Sequence, residues 1–477
     1  MNQSRRYFLK RSAAFSAGFA GLHALFSSRP LFAAIADDAT EGYGPLVPDA
    51  GKILDLPSGF SYTVVARRGD VMSDGLLVPG QPDGMACFPG EDQNEAVLVC
   101  NHELEAAWTK MSPWGEGNRM LDRAALTKLY DDGRGAHPSI GGTTTILYNL
   151  KDRRKTRQFL SLAGTNRNCA GGPTPWNSWL TCEEDEVLAG DETGAAKHHG
   201  YVFEVPASAR TPVEPVPIRA MGRFKHEAVC IDPRTGVVYL TEDQVDGLLY
   251  RYIPKERSNL HAGGRLQALV LRDGPGAHTG NQGKPSRGAA PDAKPLNIVI
   301  GERLPVRWID VHDIDAPKND LRHRGNADGA AIFARNEGMW WGHDSAYFAA
   351  TIGGRVGKGQ LWKYRPSASE GTPGEESDPG MLELFIEPNN SSILENPDNI
   401  TVAPWGDLIV CEDGGTESPS NRLLGVTPGG KVYTLAFNAA SDSEFAGACF
   451  SPDGSTLFAN IQGNGLTLAI TGPWKRS

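Results

Sequence analysis

Residues 168–185 read N-C-A-G-G-P-T-P-W-N-S-W-L-T-C-E-E-D, and they predict a single β-hairpin. Proline and asparagine at 175–177 are typical of a turn, and the apolar residues that follow extend as a strand. Because the two free ends of a hairpin lie side by side, Cys169 and the acids at 183–185 are expected to meet at one end of the sheet. A thiol and three carboxylates at such short range repel one another unless a cation lies between them. This stretch therefore indicates a metal site.

The same pattern recurs five more times along the chain. Hairpins are predicted over residues 83–103, 226–243, 337–351, 397–413 and 444–462. An acid stands at the opening of five of the six hairpins, and Cys169 replaces it in the remaining one. Alternating apolar and polar segments between the hairpins predict further half-buried strands. Four strands a unit, repeated six times, are typical of the blades of a propeller.

The predicted fold is therefore all-β: a six-bladed β-propeller forming a single domain over residues 37–477, with few helical insertions. The last unit lacks a fourth strand, and the segment F-S-Y-T-V-V-A at 60–66 precedes the first hairpin. We expect this N-terminal strand to close the last blade, because ring closure leaves no open sheet edge. A helical stretch is predicted around residues 118–130, and the segment 259–307, rich in Gly, Arg and Pro, is predicted to be a long surface loop.

Residues 1–36 are predicted to be an export signal and not part of the domain. They contain five basic residues, no acid, and the sequence S-R-R-Y-F-L-K at 4–10, which is that of a twin-arginine signal. The apolar stretch 13–26 is too short for a stable membrane insertion, and A-x-A-like sites near 34–36 predict cleavage there. The expected location is periplasmic or secreted, with the twin-arginine export machinery as a partner.

The charge and the cysteines narrow the possible functions. The formal net charge is −10, which argues against nucleic acid as a partner and suits a cation-binding protein. Cys100, Cys182 and Cys411 stand at the same place in three hairpins, and we expect them to be small buried residues. Cys169 stands at a polar strand start beside two glycines, and it is predicted to be a metal thiolate.

The polar hairpin ends are expected to meet on one face around the axis, because the innermost strands of a propeller line its channel. Oxygen-rich clusters bind hard cations such as Ca²⁺, and a thiolate adds preference for a transition metal. The acids exceed the needs of one ion, so a cluster of several ions is predicted. The predicted metal ligands are Cys169, Glu103, Glu183, Glu184, Glu227, Glu242, Asp243, Glu337, Asp398, Asn399, Glu412 and Asp413.

At these residues the chain resembles the PhoX-type bacterial alkaline phosphatases, in their shorter form. The resemblance covers essentially the whole mature chain. It rests on the motifs N-H-E (101–103), N-C-A-G-G-x-T-P-W (168–176), T-C-E-E (181–184), K-H-E (225–227), R-x-E-G (335–338) and P-D-N (397–399). It implies a six-bladed propeller, exported by the twin-arginine route, that cleaves phosphomonoesters at two irons bridged by an oxide, together with calcium ions.

The resemblance also implies roles for single residues. Cys169 would be the iron thiolate, and other acids would hold calcium. Arg335 would be the catalytic and substrate-binding residue, because a guanidinium fork suits a phosphate. The residues around the irons would be Glu103, Glu183, Glu227 and Glu337. The expected partner is a small phosphate ester.

Two other functions stay open on the residues alone. A calcium-dependent propeller lactonase or phosphodiesterase would use the same acids, and Cys169 is the feature against it, because calcium avoids thiolates. A non-enzymatic periplasmic protein with structural calcium at its axis is the second, and Arg335 beside Glu337 argues against it. No G-x-S-x-G motif is present, so covalent hydrolysis by a serine is not predicted.

Overall fold

Short strands, nearly all of them paired antiparallel, form almost all of the regular secondary structure of the computed structural model, which describes residues 42–121, 128–135, 137–190, 192–282, 294–414 and 421–475. The predicted export signal and residues 122–127 of the predicted helical stretch lie outside these ranges. The strands of the first half are β1 Leu46–Val47, β2 Leu54–Pro57, β3 Ser61–Arg67, β4 Pro82–Pro89, β5 Glu95–His102, β6 Gly141–Asn149, β7 Arg154–Thr165, β8 Asn168–Pro173, β9 Ser178–Glu183, β10 Val202–Pro206, β11 His226–Ile231, β12 Val238–Glu242, β13 Gly247–Pro254 and β14 Gly264–Leu271.

The strands of the second half are β15 Ala277–His278, β16 Lys294–Pro295, β17 Arg303–Asp310, β18 Ile332–Phe333, β19 Asn336–Trp341, β20 Ala346–Ala350, β21 Gln360–Arg365, β22 Met381–Ile386, β23 Pro397–Val402, β24 Leu408–Glu412, β25 Arg422–Val426, β26 Val432–Asn438, β27 Phe445–Phe450, β28 Thr456–Ile461 and β29 Leu466–Thr471. Helices are few, as predicted. The described residues contain one α-helix, α1 Leu321–Ala327, and 3₁₀ turns at Thr109–Met111, Glu116–Asn118, Gly133–Gly135, Arg219–Met221, Leu260–Ala262 and Pro373–Glu376. None of these helices is long and apolar enough to cross a membrane.

The all-β prediction is confirmed, and the sheets form a propeller-like arrangement. Two sheets have four strands, β4-β5-β6-β7 and β27-β28-β29-β3, and a third has three, β8-β9-β10. A six-stranded sheet contains β23-β24-β25-β26 extended by β2 and β1. Strand β17 pairs with both β14 and β22, so the runs β11 to β14 and β19 to β22 merge into one twelve-stranded sheet. The described strands therefore do not divide into the six separate four-stranded sheets that the sequence predicted.

The N-terminal strand pairs with the last strand of the chain, as predicted. β3 runs antiparallel to β29, from the pair Ser61 and Thr471 to the pair Arg67 and Leu466. Apolar alternation drives this pairing, because Leu466, Leu468 and Ile470 on β29 are buried. The strand thereby covers an edge that would otherwise be open to solvent.

The first strands of the six hairpins form a closed inner ring. Strands β4, β8, β11, β19, β23 and β27 each pack against the next, and β27 packs against β4. The approach is so close that a Cβ on Gly84 would lie 2.5 Å from the Cα of Ala170, and one on Gly338 would lie 2.6 Å from the Cα of Asn399. Only glycine permits this spacing. Met85, Trp179, Met339 and Trp340 line a small cavity beside these glycines.

The prediction of a long surface loop over residues 259–307 is wrong in part. This segment contains β14 and the start of β17, and β14 is buried from Leu266 to Leu271. Gln267 interrupts its apolar run and hides the strand in the sequence. In the structure Gln267 accepts a hydrogen bond from Arg251 Nε at 2.9 Å and donates one to Asp310 at 2.8 Å. Side chains on the neighbouring strands therefore satisfy the side-chain amide of Gln267. The sequence alone does not show these contacts.

Candidate metal centre

The hairpin ends place two rings of polar side chains around the axis. The inner ring comes from the openings of the first strands, and the outer ring comes from the residue that directly follows each second strand. The inner ring consists of Asp83, Cys169, Glu227, Glu337, Asp398 and Glu444. The outer ring consists of Glu103, Glu184, Asp243, Thr351, Asp413 and Gln462.

A β-bulge lies at the start of every first strand, and in five of the six hairpins it contains the inner-ring residue. Glu444 is the exception, because it directly precedes β27 and lies outside its bulge. Each bulge falls directly after the first paired residues, where it bends the strand and turns one side chain out of the ladder. The bulges lie between Pro82 and Met85, Asn168 and Gly171, His226 and Val229, Asn336 and Met339, Pro397 and Ile400, and Ala446 and Cys449. Because the same irregularity recurs in all six hairpins, the bulges are a regular feature of the inner strands around the axis.

Two groups of ligand atoms are close enough to hold metal ions. Cys169 Sγ and one carboxylate oxygen each of Glu184 and Glu227 lie within 4.8 Å of one another. One carboxylate oxygen each of Glu227, Glu337 and Asp398 lie within the same distance. Glu227 belongs to both groups, and a carboxylate has two oxygens, so it is suited to bridge two neighbouring ions. The first group includes sulfur and suits a transition metal, whereas the second is purely oxygen.

The electrostatics of the two rings favours a bound positive charge. Burial raises the pKa of Glu227 and Glu337 well above the ordinary value, and the neighbouring carboxylates raise both further. Burial and Asp413 raise the pKa of Asp398 to about 7, and burial raises that of Glu103 to about 8. Burial and Glu227 also raise the pKa of the Cys169 thiol. A bound cation reverses these shifts, so the donor set fits metal ions.

Backbone carbonyls near the Cys169 thiol are held by the preceding blade. Asn101 donates to the carbonyls of Cys169 at 2.9 Å and Ala170 at 2.7 Å, and its own oxygen accepts from Trp179 Nε1 at 2.8 Å. Asn460 similarly donates to the carbonyl of Asp83 at 2.6 Å. These amides lock the inner-ring backbone between blades, which preorganises the ligands.

Three basic side chains lie on the open side of the rings. Arg335 forms a bidentate pair with Asp243, at 2.8 and 2.6 Å, and contacts Glu337 at 2.8 Å. Arg167 contacts Glu103 and lies 2.7 Å from Glu184, and Lys225 lies 3.2 Å from Glu184. These three base side chains are 27–36% exposed, whereas the Glu184 side chain is 9% exposed. The bases therefore face solvent above the buried acids.

Arg167 and Lys225 are site residues that the sequence analysis missed. Each stands two residues before an inner-ring ligand, as Arg335 stands two residues before Glu337. This equivalence in the repeat was readable from the sequence. Burial would raise the pKa of Glu184, but Arg167 and Lys225 outweigh burial and lower it. Asp83 and Glu444 were recognisable from the sequence as hairpin openings, but they were not among the predicted ligands.

The backbone at this repeat position is held in an unfavourable conformation. The residue two before the inner-ring ligand has a left-handed φ of +44° at Gln81, +46° at Arg167, +55° at Arg335 and +45° at Asn396. None of these residues is glycine, so each position costs of order 1 kcal/mol or more. Such strain is typical of functional sites, and here it orients four side chains at the mouth of the rings.

Three of the predicted ligands lie inside the blades and away from the axis. Glu183, Glu242 and Glu412 are the last residues of their strands, directly before an outer-ring acid, and successive side chains of a strand point to opposite sides. Glu242 accepts from the hydroxyl of Tyr250 at 2.9 Å. Glu412 accepts from Arg422 through both of its oxygens, each at 2.7 Å. The structure therefore does not bring these three acids to the rings.

Glu183 is the most completely satisfied of these acids. Its oxygens accept from the backbone N–H groups of Asn166, Gly200 and Tyr201, and from His199 Nδ1 at 2.7 Å. Asn399, another predicted ligand, is also engaged elsewhere. Its Oδ1 accepts from the backbone N–H of Gly447 at 2.9 Å and joins two inner strands.

The adjacent acids Glu183 and Glu184 are expected to behave in opposite ways. Glu184→Gln should lower the metal content of the purified protein, because it removes a charged ligand from the sulfur-containing group. Glu183→Gln should leave the metal content unchanged and lower the free energy of unfolding by about 3–5 kcal/mol, because it breaks a buried ion pair with His199. Metal analysis and chemical denaturation of both variants check this. Loss of metal from Glu183→Gln would place that acid at the rings after all.

The stabilising contribution of His199, which lies between Glu183 and Asp131 and is 1% exposed, is expected to depend on pH. Burial opposes its protonation, but these two acids outweigh burial and raise the pKa of His199 to about 10. An unfolded histidine has a pKa of about 6.5. The ion pairs therefore stabilise the fold fully below about pH 6.5, and this contribution is lost as the pH rises toward 10. The decrease in the free energy of unfolding caused by His199→Gln should become smaller as the pH rises from about 6.5 toward 10. A decrease that does not change with pH would contradict the ion pairs of His199.

Solved structures similar to this chain have low identity to it. A gluconolactonase from Xanthomonas campestris has 11% identity and a TM-score of 0.38, with 91% of this chain and 99% of that chain covered. A luciferin-regenerating enzyme has 11% identity and a TM-score of 0.42, with 87% and 96% covered. A Bacteroides thetaiotaomicron protein of unknown function has 10% identity and a TM-score of 0.41, with 86% and 76% covered. Similarity at this level carries no argument about function.

No curated protein matches the chain. The family model described as alkaline phosphatase PhoX matches residues 41–146 and 134–465, which span most of the sequence. The match includes both rings and the three bases above them. This chain therefore belongs to the PhoX family of alkaline phosphatases.

Proposed function

We propose that the protein is a metal-dependent phosphomonoester hydrolase that releases inorganic phosphate at the two rings. Membership of the PhoX family supports a phosphatase. The observation that carries the proposal is the order of charges along the axis. Buried acids that fit cations lie beneath three solvent-facing bases, so a phosphate dianion can contact metals on one side and guanidinium groups on the other.

The proposed cofactors are two irons together with calcium. Cys169, Glu184 and Glu227 would hold the thiolate-bound iron, because these atoms include the only sulfur among the two ligand groups. Glu337 and Asp398 would share Glu227 with a second ion. The remaining ring acids, Asp83, Glu103, Asp243, Asp413 and Glu444, would hold calcium or balance the bases. When bound, such metals neutralise phosphate charge and lower the pKa of a water that becomes the nucleophile.

The residues of the chain bind and orient the ester. Arg335 would contact two phosphoryl oxygens through its planar fork, and Arg167 and Lys225 would contact the others. The acids that now pair with these bases keep them extended over the rings before substrate arrives. Burial of the rings excludes bulk water, which strengthens each of these contacts.

The blade count and the location are parts of the same proposal. We count six blades from the six hairpins whose first strands close the inner ring, with β17 joining the third and fourth blades. Residues 1–36 would act as a twin-arginine signal that delivers the protein to the periplasm or the exterior. A metal cluster inserted before export would suit this route.

A calcium-dependent lactonase or phosphodiesterase is the alternative, and the group of Glu227, Glu337 and Asp398 is the observation in its favour. This group offers oxygen alone, as calcium prefers. A non-enzymatic calcium-binding protein would use the same group. Neither alternative function uses the Cys169 thiol as a metal ligand, because calcium prefers oxygen.

Metal analysis with turnover tests the proposal. The protein, exported with its own N-terminal segment, would be analysed by mass spectrometry for iron and calcium, and hydrolysis of p-nitrophenyl phosphate would be measured before and after chelation. We expect both metals, and we expect turnover that is lost on chelation and restored by adding the metals back. Calcium without iron, and no release of phosphate, would favour the alternatives.

A further inference from the structure

A cleft opens beside the rings and is not used by the phosphate site described above. Its volume is about 420 Å³, in the range of small-molecule sites. Trp108 and Met111 are half-buried on its wall, and Lys110 is exposed. The lining residues are Gln81, Ala107, Trp108, Thr109, Lys110 and Met111.

The cleft is continuous with the rings through Gln81. This residue occupies the repeat position of Arg167 and Arg335, and its Nε2 donates to Gln462 Oε1 at 2.9 Å. Gln462 in turn donates to the carboxylates of Asp83 and Glu103, both at 2.9 Å. Gln81 therefore forms the boundary between the cleft and the metal ligands.

The wall of the cleft is fixed to the same residues. The backbone N–H of Glu103 donates to the carbonyl of Gln81 at 2.9 Å, and the wall begins four residues later at Ala107. Gly80 N–H donates to the carbonyl of Met111 at 2.9 Å. A Cβ on Gly80 would lie 2.7 Å from the Cβ of Met111, so the wall packs directly on this glycine. The cleft is thus preformed and does not need to be ordered by a ligand.

We propose that this cleft binds the leaving group of the ester and selects phosphomonoesters whose alcohol carries a flat apolar ring. The proposal rests on the proposed phosphatase function. The indole of Trp108 and the thioether of Met111 offer the surfaces that aromatic rings prefer. With phosphate at the rings, an ester whose P–O bond pointed toward Gln81 would place its alcohol in the cleft. Water adds its oxygen to phosphorus, the ester oxygen leaves with a proton from that water, and the free alcohol remains in the cleft.

Comparing two esters that share the phosphate group but differ in the alcohol distinguishes an effect on this subsite from an effect on the metal site. The value of kcat/KM would be measured for phenyl phosphate and for glycerol 2-phosphate, and the ratio of the two compared between variants. Trp108→Ala removes an aromatic surface, and Ala107→Phe fills the cleft from its exposed rim. Val356→Ala is the control, because it removes an exposed apolar side chain far along the chain, 56% exposed in the native protein.

We expect the ratio to fall about tenfold in Trp108→Ala and in Ala107→Phe, mainly through KM for phenyl phosphate, and to stay unchanged in the control. The inhibition constant of inorganic phosphate should stay within about twofold in all three. Turnover with an unchanged ratio in both cleft variants would overturn the subsite alone. Absence of turnover of either ester by the native, metal-loaded protein would overturn the phosphatase function and the subsite with it.

Discussion

Cys169→Ser is expected to remove the transition metal from the protein and to lower phosphomonoester hydrolysis at least about 100-fold. In known metal sites, removing a residue that hydrogen-bonds to a ligand already lowers metal affinity or activity by roughly 10–100-fold. Removing the ligand itself is expected to cost at least as much. Cys169 supplies the only sulfur of the two candidate ligand groups and is 4% exposed, so a solvent molecule does not easily take its place. Serine keeps the size of the side chain, and its hydroxyl is a poorer ligand than a thiolate.

The measurement is the iron and calcium content of the purified variant, together with kcat/KM for p-nitrophenyl phosphate. Calcium at the remaining ring acids should be retained more than iron, because none of these acids is changed. Cys230→Ala is the matched control. Cys230 is also a buried thiol in the first strand of a hairpin. It lies three residues beyond the inner-ring residue Glu227 and belongs to neither candidate ligand group. Unchanged iron in Cys169→Ser would refute the thiolate assignment.

Arg335→Gln is expected to lower kcat/KM by about 10²–10³, which is typical for removal of one donor to transition-state charge. Glu337 and Asp243 raise the pKa of Arg335 still further above its already high value, so the guanidinium is charged at every working pH. Glutamine removes the charge and the bidentate fork. Arg335→Lys should recover only part of the activity, because an ammonium keeps the charge without the paired geometry.

Inhibition by inorganic phosphate distinguishes a loss of phosphate binding by the Arg335 variant from a loss of its metal ions. The inhibition constant of inorganic phosphate should rise in Arg335→Gln while the metal content stays that of the native protein. Arg234→Gln is the control, since Arg234 also forms a bidentate pair with an aspartate but lies at a turn away from the rings. Native phosphate inhibition in Arg335→Gln would remove this residue from the substrate site, and loss of metal would make it a structural partner of Asp243.

The hairpins were predictable because each one is local in sequence. A first strand, a turn and a second strand fall within about twenty residues, so alternation and turn residues suffice to find them. The pairing of the N-terminal strand with β29 was also predictable, because one unit lacked a strand and another segment was left over. The long segment 259–307 was misjudged because Gln267 is polar in a buried strand, and only Arg251 and Asp310 on neighbouring strands explain it.

The sequence predicted where the acids gather better than it predicted which of them reach the axis. Neighbouring acids such as Glu183 and Glu184 point to opposite sides, and one residue of register decides which of them reaches the axis. The bulges at the openings of the first strands set that register, and no residue type marks them. Arg167 and Lys225 could have been found by extending the Arg335 position to the other repeats.

The amino-acid sequence alone settled that the chain folds from repeated hairpins, that acids and one thiol gather at their ends, and that the family is PhoX. These features are short-range, so spacing and residue type carry them. Tertiary structure decided which acids reach the two rings, which ones pair with His199 or Arg422 inside a blade, and that a cleft beside Gln81 adjoins the rings. These depend on contacts between blades that are distant in sequence, where packing of one strand against the next determines the direction of every side chain.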